Sequence, residues 1–261
     1  MVFAVAALLA IVAQLLKEDQ EFNVKVEQMQ NILTSVGVES EKSNAQELFD
    51  KYIVNSYVIS EAGSKIDGVA AFDVDLKEQV NKIDEIKTLE ASLADKRVSP
   101  FKQFMSGIFT SKVIDASAIK GDIEIVKNER QLPVYVCKKD DGSTLYVIPM
   151  RGKGLWGPIW GYVALKEDLN TIYGAVYDHK GETPGLGAEI KEDWFGGAFV
   201  GKSIFTDGAF TSVEVAKAGA ATSENSVDAI SGGTITSKGV EAMLYDCLSS
   251  YQTYFEILKT N

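Results

Sequence analysis

Two runs of β-branched and aromatic residues, Leu132 to Lys138 (LPVYVCK) and Thr144 to Met150 (TLYVIPM), flank the short turn Asp140-Asp141-Gly142. So short a connection permits only antiparallel pairing, because parallel strands need a crossover of a dozen or more residues. Gly161 to Leu165 and Thr171 to Asp178 (TIYGAVYD) make a second pair across Lys166 to Asn170, and Phe210 to Val215 (FTSVEV) reads as a further strand. Helical spacing brackets this region. Phe22, Val26, Met29, Leu33 and Val36 recur every three or four residues and stop at Gly37, the pattern of an amphipathic helix with a glycine C-cap. Asn44 to Asn55 carries a stripe of Leu48, Phe49, Tyr52 and Ile53, with Ser43 or Asn44 able to cap it. Val74 to Arg97 repeats Val80, Ile83, Ile86 and Leu89 on a surface helix closed by Ser99-Pro100. Lys238 to Leu258 is a closing helix with Val240, Met243, Leu244, Cys247 and Leu248 on one face. The fold class expected is α+β, a mainly antiparallel sheet with helices at its ends.

Residues 1–16 are a different material, for no charge occurs before Lys17. Sixteen residues, with Gln14 among them, fall short of the roughly 20 that span a bilayer. Nothing basic precedes the run, which disfavours a signal peptide. The run reads as the remaining part of a longer transmembrane helix, against the alternative of a buried core helix; Lys17 alone cannot orient it. The organisation expected is an anchor at 1–16, an amphipathic helix and connector at 17–43, and an α+β domain at 44–261.

With 26 Lys and Arg against 37 Asp and Glu, the net charge of -11 offers no positive field for nucleic acid. One histidine, His179, and two distant cysteines, Cys137 and Cys247, leave almost nothing for a zinc site, an iron–sulfur cluster or a Ser-His-Asp triad. Both cysteines fit buried strand and helix positions, with a disulfide as the alternative. Chemistry in this chain has to be carried by something other than its own side chains.

Glycine is clustered in three loops: Gly152-Lys153-Gly154-Leu155-Trp156-Gly157-Pro158, Gly181-Glu182-Thr183-Pro184-Gly185-Leu186-Gly187, and Asp228 to Gly239 (DAISGGTITSKG). The third runs into the closing helix. Glycines let backbone N–H groups approach an anion, and a helix N-terminus adds its dipole. Ser231, Thr234 and Thr236 add hydroxyls. The loop is neither a Walker A sequence nor a G-x-G-x-x-G fingerprint. A phosphate-binding turn competes here with an ordinary helix cap by Thr236 or Ser237. Leu155, Trp156 and Trp160 supply flat apolar surface, and Leu186 lies between two glycines; Trp156 taken singly reads as core. Together the loops favour a planar, phosphorylated ligand such as a flavin nucleotide.

The run Ser231-Gly232-Gly233-Thr234-Ile235-Thr236-Ser237, with Asp228 before it, resembles the D-x-x-S-G-A-T-x-T-S motif of the covalent FMN-binding domain family. Gly154-Leu155-Trp156 and Glu182 to Gly187 (ETPGLG) resemble the other signature loops of its C-subunit branch, from the sodium-translocating NADH:quinone oxidoreductases. Residues 56–130 carry none of the resemblance. Gly233 departs from the pattern, standing where the family usually has Ala.

The resemblance implies FMN joined by its phosphate to the Thr234 hydroxyl, by a flavin transferase that uses FAD. It implies Thr236 and Ser237 as cap and phosphate-contact residues and Ser231 in either role. Leu155, Trp156, Thr183 and Leu186 would surround the ring, with Glu182, Gly185, Gly232 and Gly233 completing the site. Lys217 would lie near the ribityl chain or phosphate, or else be a solvated lysine. The function implied is an electron-relay subunit with no NADH site of its own, working among other membrane subunits. It would sit in a bacterial inner membrane with its domain on the periplasmic side. The G subunit of the Rnf complex and a stand-alone membrane-anchored flavoprotein are the alternatives.

Overall fold

The two sequence hairpins form the centre of one sheet. A computed structural model describes residues 5, 6, 14, 16–97 and 116–260. Its main strands are β1 (Ile53–Ile59), β2 (Lys65–Ile66), β3 (Leu132–Lys138), β4 (Thr144–Lys153), β5 (Pro158–Leu165) and β6 (Ile172–His179). They form a six-stranded sheet in the order β2-β1-β3-β4-β5-β6. Every neighbouring pair is antiparallel. In the β3–β4 turn Gly142 takes φ +86°, and its N–H donates to the Lys139 carbonyl at 2.9 Å, a conformation that a residue with a Cβ adopts at a cost.

Side-chain alternation sends the two faces of the sheet into different cores. Val134, Ile148 and Val163 join one, with Phe195, Phe199, Leu244 and Phe255. Tyr135, Val147, Tyr162 and Ala164 join the other, with Ile32, Leu33 and Phe49. Helix α1 (Lys17–Ser35) supplies much of the second. It ends as expected: Val38 N–H bonds to the Leu33 carbonyl and Gly37 N–H to the Thr34 carbonyl, both at 2.9 Å, around Gly37 at φ +69°. Phe22 is a correction to the buried stripe. It is exposed along with every residue from Leu16 to Lys25, because α1 first meets the sheet at Val26.

Helix α2 (Ala45–Tyr52) stops three residues short of the expected end, because Ile53 is already in β1 and pairs with Cys137. Asn44 stands at its N-cap but its side chain accepts from Glu41 N–H at 2.7 Å, outside the helix. Helix α3 (Leu76–Arg97) is capped by Asp75, whose Oδ1 accepts from Lys77 N–H at 2.8 Å, and it packs on α4 (Ala116–Asn128) through Ile86, Ile119, Ile123 and Val126. Its expected stop at Ser99-Pro100 lies outside the described residues.

After β6 come the short helix α5 (Asp193–Gly197) and the strands β7 (Phe205–Thr206), β8 (Ala209–Phe210), β9 (Glu214–Ala216) and β10 (Ser226–Asp228). The single strand expected over 210–215 is divided, because Ser212 takes φ +57° and turns the chain between β8 and β9. Strands β9 and β10 pair in parallel, the one such pair among the described residues. The closing helix is also divided, into α6 (Thr234–Ser249) and α7 (Gln252–Thr260). Helix α6 begins four residues before the expected start, at the threonine of the third loop. Most of the expected anchor lies outside the described residues, and among those described no helix is long and apolar enough to cross a membrane.

Candidate functional site

The β4–β5 hairpin brings the first loop to one end of the sheet, with Gly154 N–H bonded to the Gly157 carbonyl at 2.7 Å across its tip. Strand β6 ends beside it, His179 opposite Ile159, so the second loop starts at the same end. Helix α6 lies across β4, and glycines permit the approach. A Cβ on Gly239 would collide with the Lys153 carbonyl, and one on Gly152 would stand 2.7 Å from Met243 Cβ. The third loop is carried to the other two by that packing.

Glu182 is where the three loops join. It is 5% exposed. Its Oε1 accepts from Trp156 N–H at 2.8 Å, and its Oε2 accepts from Thr236 Oγ1 at 2.6 Å. Its own N–H donates to His179 Nδ1 at 3.1 Å, tying the second loop to the end of β6. Gly154 and Gly187 leave room for the carboxylate: a Cβ on either would come within about 2.6 Å of a Glu182 oxygen. Burying a carboxylate is costly unless its oxygens are hydrogen-bonded, and each charged bond contributes about 1.5–3 kcal/mol.

Gly233 is the N-cap of α6, with no side-chain cap, which makes Thr234 its first helical residue. The N–H groups of Thr234, Ile235 and Thr236 have no backbone acceptor among the described residues, as geometry requires of a first turn. Thr234 and Ser231 are exposed, and their hydroxyls have no partner there. Thr236 and Ser237 are not caps. Both are buried in the first turn, Thr236 on Glu182, and Ser237 donating to the Gly233 carbonyl at 2.9 Å while accepting from Ile230 N–H at 3.0 Å. Gly232 takes φ +76°, and a Cβ there would meet Leu186 Cδ2 at 2.6 Å.

The three loops expose apolar side chains: Leu155, Trp156, Leu186 and Ile235, with Trp156 69% exposed. Sequence reading missed Ile235; its signal was an apolar residue directly after the candidate acceptor. Thr183 is exposed, and its carbonyl accepts from Leu186 and Ala188 N–H at 3.1 Å. Gly185 makes its turn at φ +74° and bonds to Glu189 Oε1 at 3.0 Å. Lys217 is exposed at the end of β9, next to Ala216, whose carbonyl accepts from Ala229 N–H at 2.8 Å. The structure therefore gathers the three loops around Glu182, and sets Lys217 at the end of the β9–β10 pair from which the third loop departs.

Residues 154–249 match the FMN-binding domain, a span that begins in the first loop and ends with α6. The C subunit of the Na(+)-translocating NADH-quinone reductase of Haemophilus ducreyi is 32% identical over 235 residues, which is 90% of this chain and 80% of that one. This chain belongs to the family of those C subunits. The Vibrio vulnificus homologue of the same name is 29% identical over 227 residues, covering 87% of this chain and 78% of its own. The crystal structure of the corresponding Parabacteroides distasonis protein superposes with a TM-score of 0.69 at 35% identity, over 92% of this chain and 96% of that one. Shewanella oneidensis NqrC gives 0.64 at 26% identity, over 92% and 100%. The likeness to C subunits thus extends over about nine-tenths of this chain, well beyond the FMN-binding domain.

The residues present fit a flavin nucleotide. A free hydroxyl at the first position of a 16-residue helix, beside unpaired N–H groups, suits a phosphate. The exposed apolar rim suits a planar ring.

Proposed function

We propose that this chain is an electron-relay subunit of a Na+-translocating NADH:quinone reductase and carries FMN linked by a phosphoester to Thr234. One observation carries the attachment: the exposed Thr234 hydroxyl stands at the start of α6 with the N–H groups of that turn unpaired.

When bound, FMN supplies reversible electron transfer. The chain does the rest. The first turn of α6 and its dipole hold negative charge at Thr234. Gly232 at φ +76° keeps the loop open enough for backbone N–H groups to face a phosphate. Leu155, Trp156, Leu186 and Ile235 form the apolar rim for the ring, Thr183 and Ser231 offer hydroxyls at its border, and Lys217 lies on the approach to the loop. A covalent link also prevents loss by dilution outside the cytoplasm, where free FMN is scarce. The same proposal places residues 1–16 in a bacterial inner membrane, the domain on the periplasmic side, other membrane subunits as electron partners, and a flavin transferase in maturation.

Production with a flavin transferase tests it. After denaturing electrophoresis the band fluoresces under ultraviolet light, and intact mass exceeds the sequence mass by FMN less water. Thr234→Ala removes both signals while the protein still folds. A fluorescent Thr234→Ala band would refute the acceptor.

A further inference from the structure

We infer that Glu182 is a positioning residue, which holds the ring-side loop at a set place relative to Thr234 and acts through Trp156 and Thr236 rather than on the cofactor. The inference rests on the flavin reading above and assigns Glu182 a different role from the cofactor contact its loop suggests.

Access argues first. Glu182 is 5% exposed, and both carboxylate oxygens are already engaged, by Trp156 N–H at 2.8 Å and Thr236 Oγ1 at 2.6 Å. With each oxygen already holding a protein donor and so little of the residue exposed, the carboxylate is enclosed by the loops rather than presented to a ligand. The two donors come from the loops that matter: the backbone N–H of Trp156, whose indole is the most exposed of the site, and the hydroxyl of Thr236, two residues after the acceptor in the same helical turn. The carboxylate is therefore a strut between the wall for the ring and the anchor for the phosphate. Its own position is set separately, through Glu182 N–H on His179 Nδ1 at the end of β6.

The chemistry requires an acceptor at both ends. Trp156 N–H can only donate. Thr236 Oγ1 donates here, although a hydroxyl can turn round and accept. Glutamine keeps the shape and satisfies Trp156 with its carbonyl oxygen, but its amide then forces Thr236 to become the acceptor. Aspartate is one methylene short of reaching both loops. Alanine leaves Trp156 N–H without a partner and a void between Gly154 and Gly187.

Flavin emission reads the strut directly. An indole held against an isoalloxazine quenches its fluorescence by electron transfer, so the ratio of native to denatured fluorescence, taken per covalent flavin, reports how firmly Trp156 is held. Full-length chain produced with a flavin transferase is compared with Glu182→Gln, Glu182→Ala, Thr236→Val and the Glu182→Ala/Thr236→Val pair. Flavin load is taken from intact mass and folding from the thermal midpoint. The expected result is a several-fold rise in the ratio for Glu182→Ala and Thr236→Val, a smaller rise for Glu182→Gln, and no further rise in the double variant, because both substitutions cut one strut.

Folded, flavin-loaded Glu182→Gln and Thr236→Val with the parental ratio would overturn the positioning role, even if Glu182→Ala fails to fold. A fall in thermal midpoint with no change in ratio would do the same, since a merely stabilising contact predicts that. A parent chain without the added FMN mass would overturn the flavin reading and this inference together, which separates that failure from the others.

Discussion

Thr236 Oγ1 donates to Glu182 Oε2 at 2.6 Å, a buried hydrogen bond between residues 54 positions apart in the chain. Both side chains are buried, so the Thr236 hydroxyl and Glu182 Oε2 satisfy each other in place of water. The bond explains why the second and third loops keep one relative position, and why a glycine lies beside it.

Gly187 is that glycine. A Cβ there would collide with Thr236 Oγ1 and stand 2.6 Å from Glu182 Oε2. Neither atom can move without losing the bond. Gly187→Ala is expected to lower unfolding free energy by about 1–3 kcal/mol, read from the denaturant midpoint at unchanged slope.

Gly232 and Gly233 differ in what they can tolerate. Gly232 has φ +76°, so Gly232→Ala costs about 1–2 kcal/mol in backbone conformation alone. Gly233 has φ -105°, ordinary for any residue, and a Cβ there would sit 3.0 Å from Ile230 Cγ2 and the Leu186 carbonyl. Gly233→Ala, which restores the residue usual in the family motif, is expected to change stability by less than about 1 kcal/mol, the loss of unfolded-state entropy offsetting the tight contact. Paired denaturant curves check the order; equal costs would contradict it.

Cys137 and Cys247 are free and occupy the two different cores, on opposite sides of the sheet. That removes the disulfide alternative. Burial pushes both thiols up to about 11, so little thiolate exists at neutral pH. Native protein is expected to resist a thiol reagent at about pH 8, while denatured protein consumes two equivalents, and added reductant leaves the thermal midpoint unchanged.

Asp168 closes the β5–β6 turn, accepting from Asn170 N–H and Thr171 N–H, both at 2.8 Å, and from Thr171 Oγ1 at 2.5 Å. Desolvation alone would raise its carboxyl, but these hydrogen bonds outweigh it and hold the group below its ordinary range. A lowered folded value means that the unfolded chain binds the proton more readily. The stabilisation is therefore present above the unfolded value and is lost as pH falls through the folded one. Melting from about pH 6 to about pH 3 is expected to show the parent losing its advantage over Asp168→Asn as acidity increases. A constant difference across that range would disprove the linkage.

Local signals in the chain reached a long way. Asp141-Gly142 determined an antiparallel hairpin, and Gly37 marked a helix end down to its hydrogen bonds. The third loop announced a helix N-terminus, but the sequence left open whether a side chain capped it and placed the start four residues late, at Lys238 instead of Thr234. Where two local signals overlapped, reading failed: Ile53 continues the helical spacing of α2 yet belongs to β1, since pairing with β3 outweighs propensity in so short a helix. The same holds for FTSVEV, where Ser212 at φ +57° breaks a run that looks continuous.

The sequence by itself determined the strand pairing at the hairpins and, through its resemblance, the family of the chain. The pairing follows from side-chain period and turn chemistry, which act within a few residues, and the family from three short motifs read in order. Only the tertiary structure decided that Thr236 and Ser237 are buried supports instead of caps, and that Glu182 faces two other loops and not solvent. Those roles depend on which loop is packed against which. A hydrogen bond spanning 54 positions has no signature in local spacing, because it exists only once β4, β6 and α6 have brought their ends together.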